Sequence, residues 1–168
     1  MKPRSIRPEA ALLSVLRHRV AFYETDAMGI VHHANYVLLF ERGRLEFLRR
    51  RGLPYKEMVE RGFHMPVVEL NLRYRKPAHF DDLLWVETRL GALSRVTVRF
   101  NYVISRPKLD PRENAELLAE GHILLACVDA KNRPRPLPED VVQTVFAPEL
   151  SPGEDLIPDS RADRAGNA

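Results

Sequence analysis

The chain has 168 residues, a single cysteine and a formal net charge of +3. That length fits one domain with one core, and a lone cysteine excludes a disulfide framework and fits a reducing, cytoplasmic setting. No apolar run approaches a membrane span, no signal-peptide pattern opens the chain, and the mild positive charge lacks the aromatic-studded basic stripe that would argue for nucleic acid.

Residues 1–14 are expected to form an extended or short helical lead-in. His18–Tyr23 reads as a short strand, with Val20 and Phe22 alternating against Arg19 and Ala21. Next comes Tyr23–Tyr36, reading Y-E-T-D-A-M-G-I-V-H-H-A-N-Y. It sets an acid, a glycine, two histidines and an aromatic just ahead of a helix-period apolar pattern carried by Tyr36, Val37, Phe40, Phe47 and Leu48. The spacing predicts a long helix from near His32–Ala34 to Gly52, with Pro54 beyond as a stop signal. Gly43 inside that helix costs about 1 kcal/mol relative to alanine, and implies close approach by another backbone. Arg42, Arg44, Arg49, Arg50 and Arg51 read as a solvated helix face partnered by Glu41 and Glu46.

A second short helix is expected over Tyr55–Glu60. From His64 the period changes to two, with Val68, Leu70, Leu72 and Tyr74 on one face. Further strands are expected over Leu83–Leu90, Arg95–Ser105 and Ala115–Val128, with a short helix over Pro138–Phe146. Residues 15–148 make the domain, and residues 149–168, rich in proline, glycine and charge, are expected to be a disordered tail. One strand, one long helix and four strands in short succession predict an α+β arrangement, a mostly antiparallel sheet wrapped on a single helix.

The chemistry gathers at the motif. Backbone amides at a helix start have no partner within the helix, and the dipole there favours negative charge. A carboxylate at Asp26 facing such amides suits a carbonyl whose oxygen turns negative in the transition state. Asp26 also has a plainer reading, as a turn residue, and Tyr36 one as core. The six histidines show no ligand spacing; His32 and His33, adjacent on a helix, would point about 100° apart, so no metal site is expected.

The motif, the helix segment F-E-R-G-R-L-E-F-L and the strand P-V-V-E-L-N-L-R-Y-R-K-P-A-H-F-D-D together resemble hotdog-fold acyl-CoA thioesterases, within the 4-hydroxybenzoyl-CoA thioesterase and YbgC-like group. The resemblance spans roughly Arg17 to Val128. It implies a hotdog fold, a curved antiparallel sheet of about five strands around one long central helix. It also implies hydrolysis of acyl-CoA with no cofactor, coenzyme A being part of the substrate, in a homodimer whose dimers pair into a homotetramer. Carried over by position, Asp26 matches the catalytic carboxylate, as nucleophile or general base, and the His33 amide matches the donor that polarises the thioester carbonyl. Gly29, His32 and Tyr36 would line or orient the site, and Ser94 and Arg95 fall where relatives contact the coenzyme A phosphates. Two rivals share the fold: an acyl-CoA hydratase or dehydratase, whose different motif is not found, and a non-catalytic acyl- or CoA-binding module, which Asp26 speaks against.

Overall fold

Alternating apolar residues give strands that bury one face, and the long helix between them supplies the surface they bury it against. The computed structural model describes residues 4–5, 13–110 and 113–146. Strands β1 (Arg4–Ser5), β2 (Leu13–Arg19), β4 (Val67–Tyr74), β5 (Leu83–Leu93), β6 (Thr97–Arg106) and β7 (Glu116–Ala126) form the main sheet. Its order is β1-β5-β6-β7-β4, with β2 also pairing β5, and every pairing is antiparallel. Short strands β3 (Phe63–His64) and β8 (Val128–Asp129) pair separately. Helix α1 (His33–Arg50) lies on the sheet, followed by α2 (Tyr55–Glu60), and α3 (Glu139–Val145) comes last. This is the hotdog arrangement.

Helix α1 buries Tyr36, Leu39, Phe40, Phe47 and Leu48. The Phe40 ring stacks on Tyr102 with centroids 4.2 Å apart, and Phe47 meets Phe100 edge-on at 5.2 Å. Between these contacts the helix presents Gly43. A Cβ there would lie 2.4 Å from Thr88 Oγ1 and 3.2 Å from Val86 Cγ1. The glycine makes room for the close approach of these side chains, where its mid-helix position had implied another backbone.

Several expectations change. The first strand runs over Leu13–Arg19, earlier than the expected His18–Tyr23, and Phe22–Glu24 form a 3-10 turn instead. The reason is tertiary: residues 13–19 find a ladder on β5, from Leu13 opposite Arg89 to Arg19 opposite Leu83, whereas Phe22 and Tyr23 find no burial and stay exposed. Strand β5 extends through Gly91 to Leu93, so the tight connection is shorter than expected. Arg44 leaves the expected solvated face, being only 7% exposed, because it follows Gly43 on the sheet-facing side of α1. Glu46 does pair with Arg49 and Arg50, at 2.5 and 2.9 Å. The expected tail, residues 149–168, and most of the lead-in lie outside the described residues. No helix among the described residues is long and apolar enough to cross a membrane.

Candidate active site

After β2 the chain crosses to the segment that precedes β5, Val20 N–H donating to Asp82 O at 3.0 Å and Asp81 N–H to Val20 O at 3.0 Å. The 3-10 turn then leads into a small loop closed by a bridge between Thr25 and Val31. Within it Asp26 N–H donates to Ile30 O and Gly29 N–H to Asp26 O, both at 2.9 Å. Gly29 takes φ +74°, a conformation that a side chain disfavours and glycine adopts freely. The Met28 amide donates to Asp26 Oδ1 at 2.8 Å. Asp26 is thus a turn residue and a presented carboxylate at once: Oδ1 orders the turn, and Oδ2 has no hydrogen-bond partner among the described residues.

The loop delivers the chain to α1. His32 is the N-cap; its backbone amide donates to Glu24 O at 2.8 Å and its ring Nδ1 accepts from the Ala34 amide at 3.3 Å. His33 is the first helical residue. Among the described residues its amide meets no acceptor, as expected of a donor in the first helical turn. Its carbonyl accepts from the Tyr74 hydroxyl at 3.0 Å. The two histidine rings lie 4.0 Å apart and tilted by 33°, not splayed by 100° as two helical neighbours would be. His32, with ψ at 135°, stands outside the helix, which folds its ring back beside that of His33. Both residues are exposed.

Tyr36 lies one turn further on and is 3% exposed. Its hydroxyl accepts from the Ala78 amide at 3.3 Å, its ring meets Tyr74 edge-on at 5.2 Å, and burial raises its pKa. It belongs to the core, the plainer of its two readings. Ala78 in turn accepts from the Val31 amide at 2.8 Å, so the segment before β5 props the motif loop from below. That segment is held by charge: Arg106 bridges Asp82 Oδ2 and Glu116 Oε2, both at 2.5 Å. Lys76 reaches Glu116 at 2.7 Å. Hydrogen bonds from Lys76 and then Arg106 hold the Glu116 carboxyl down at about 2.

Asp26, Gly29, His32, His33 and Tyr36 therefore stand together. Ser94 and Arg95 do not join them within one chain. They follow the far end of β5, whose 11 residues span roughly 33 Å at about 3.3 Å per residue, while its near end is tied to the motif loop through Asp82. The Ser94 hydroxyl is used in its own turn, accepting from the Val96 and Thr97 amides at 3.2 and 2.9 Å. Arg95 is exposed. Two contributors escaped the sequence reading. Tyr74 ends a strand read only as alternating, and Glu24 stood inside the motif with no separate signal.

A family profile described as the thioesterase-like superfamily matches residues 20–145. The chain is 34% identical over 127 residues to the acyl-CoA thioester hydrolase YbgC of Escherichia coli, covering 74% of this chain and 89% of that protein. A solved Thermus thermophilus structure, 40% identical, superposes with a TM-score of 0.71 over 79% of this chain and 97% of its own. A 4-hydroxybenzoyl-CoA thioesterase variant in complex with 4-hydroxybenzoyl-CoA has the same fold, with a TM-score of 0.73 at 22% identity, covering 80% of this chain and 99% of its own. With a profile match running from the motif to the last helix and a relative 34% identical over 89% of its length, the chain belongs to the thioesterase-like superfamily.

Proposed function

We propose that the chain hydrolyses the thioester of acyl-CoA to the free acid and coenzyme A, with Asp26 and the His33 amide as the reacting machinery. The observation that carries this reading is the pairing of a carboxylate with one free oxygen and an amide with no acceptor, on one short loop–helix junction. The His33 amide donates to the thioester oxygen and stabilises the charge that gathers on it during attack, aided by the positive end of α1. Asp26 either attacks the carbonyl carbon, giving a mixed anhydride that water then opens, or takes a proton from an attacking water. In both routes the C–S bond breaks, the sulfur leaves as thiolate and is protonated to coenzyme A, and the carbonyl carbon gains a water-derived oxygen.

A second copy completes the site. Strand β4 is the outer strand of the sheet, and Val67, Val68, Leu70 and Tyr74 on it are 40–56% exposed. A long edge with apolar side chains and unpaired backbone groups is a template for another strand. Antiparallel pairing of two β4 strands would hide both edges and place each motif loop beside the far end of the neighbour's sheet. Ser94 and Arg95 of the neighbour would then approach the site that their own chain leaves distant, where the arginine suits the coenzyme A phosphates.

Replacing Asp26 with Asn tests the assignment. The change keeps the turn-forming acceptor and removes both the nucleophile and the base, so kcat on a panel of acyl-CoA thioesters is expected to fall by ~10²-fold or more with an unchanged melting temperature. A near wild-type rate would move the assignment to Glu41 or Glu46 on α1.

A further inference from the structure

Glu24 is a buried carboxylate for which the reaction above has no use. It is 9% exposed, and His18, beside it on β2, is 8% exposed. A buried charge persists only when hydrogen-bonded, and Glu24 is bonded on every side. Its Oε2 accepts from the Ala21 amide at 2.7 Å, and His18 Nε2 lies 2.8 and 3.0 Å from its two oxygens. On the other edge of the imidazole, Arg42 Nη1 of α1 lies 2.9 Å from His18 Nδ1. A guanidinium only donates, so Nδ1 accepts and the ring proton sits on Nε2, donated to Glu24. The chain of bonds has one direction, from Arg42 through His18 to Glu24, and it clamps helix, strand and loop together.

The backbone of the same residue holds the helix start. Glu24 O accepts from the His32 amide at 2.8 Å and from Asn35 Nδ2 at 2.7 Å. Asp26 is two residues after Glu24 in the chain, and His33 follows the amide that Glu24 receives. One residue therefore governs both halves of the site.

We propose that Glu24, clamped by His18 and Arg42, is a positioning residue for thioester hydrolysis, fixing the Asp26 loop against the start of α1 so that carboxylate and His33 amide meet the same carbonyl. The inference rests on the assignment of Asp26 and His33 above. Displacement of a reacting group by about 1 Å lowers a rate by roughly 10²-fold, so a loosened clamp acts on kcat. Binding of the nucleotide end, made elsewhere, is left alone.

Glu24→Gln keeps the shape and reverses one bond. The new amide donates toward His18 Nε2–H; if the ring proton moves to Nδ1 to accept it, that proton meets the Arg42 guanidinium instead. One donor–donor contact remains in either tautomer. Expected for Glu24→Gln are a kcat on acyl-CoA lower by about ten-fold or more, a KM within about two-fold of wild type, and faster hydrogen exchange at the His32 amide with β5, β6 and β7 unchanged. His18→Gln, whose amide nitrogen can still donate to Glu24, is expected to keep most of kcat, and His18→Ala to lose it as Glu24→Gln does. A Glu24→Gln variant with kcat within two-fold of wild type, or with unaltered exchange at His32, overturns the proposal. If Glu24→Gln does not fold, equal kcat in the two His18 variants overturns it. Full activity in the Asp26→Asn variant would overturn the reading of Asp26 and with it the catalytic part of the proposal. Exchange at His32 tells the two failures apart, because it reports on Glu24 whatever Asp26 does.

Discussion

A Cβ on Gly43 would stand 2.4 Å from the hydroxyl oxygen of Thr88, a side chain with no exposure on β5. The side chains of Thr88 and Val86 there pack directly against the backbone of the central helix. Gly43→Ala gains about 1 kcal/mol of helix propensity and meets overpacking of roughly 1–3 kcal/mol. Overpacking wins because Thr88 is enclosed and cannot swing clear. The variant is expected to melt a few degrees lower, at about 2–4 °C per kcal/mol for a domain of this size. Adding Thr88→Ala, which removes the nearest atom, is expected to restore part of the loss in a double-mutant cycle. A Gly43→Ala protein that melts at or above the wild type would show that the helix can lift away.

The exposed edge of β4 leads to an expectation about assembly. Val68→Arg with Leu70→Arg places two charges where an apolar neighbour is expected, and like charges then face each other across the pairing. Sedimentation is expected to show a dimer or larger for the wild type and a monomer at micromolar concentration for the variant. Helical circular dichroism should be retained and hydrolysis largely lost. A fully active wild-type monomer would remove the need for a second copy.

Arg95 carries the expectation about the nucleotide end of the substrate. An exposed arginine contacting phosphate makes the same bond in the ground and transition states, so Arg95→Ala is expected to raise KM for acyl-CoA several-fold with little change in kcat. The effect should weaken with rising salt and shrink on an acyl-pantetheine, which lacks the nucleotide phosphates. Equal losses on both substrates would assign Arg95 to the fold, where its carbonyl already accepts from the Leu137 amide at 2.9 Å.

Acid should loosen the segment beneath the motif loop. The Glu116 carboxyl is held at about 2, down from 4.5, by Lys76 first and Arg106 second. A carboxyl depressed in the folded state contributes stability that is fully present above its unfolded value and is lost as pH falls through the folded one. The relevant window runs from 4.5 down to about 2. Urea midpoints of the wild type are expected to fall across that window more steeply than those of Glu116→Gln. Parallel curves would mean that the ion pairs with Lys76 and Arg106 add nothing.

The amino-acid sequence by itself determined what short-range chemistry can encode. The period of 3.6 along α1, the isolated turn of α2 at Tyr55–Glu60 and the strand β4 all appear where their patterns lie, because each pattern is written in consecutive residues. The motif loop was legible for the same reason: Gly29 N–H returns to Asp26 O within four residues, and the helix start follows at once. Gly43 was legible as a cost that only a close contact repays. What needed the tertiary structure were relations between distant residues. Whether residues 13–19 or 18–23 would be the strand depended on the ladder offered by β5. Whether the histidine rings splay or stack depended on His32 standing outside the helix, held by Glu24. The clamp of Arg42, His18 and Glu24 joins three elements with no shared periodicity, and the 40–56% exposure along β4 exists only once the sheet order puts that strand last. Local propensity acts over a few residues, whereas hydrogen bonds and burial between remote segments arise only when the chain has closed on itself.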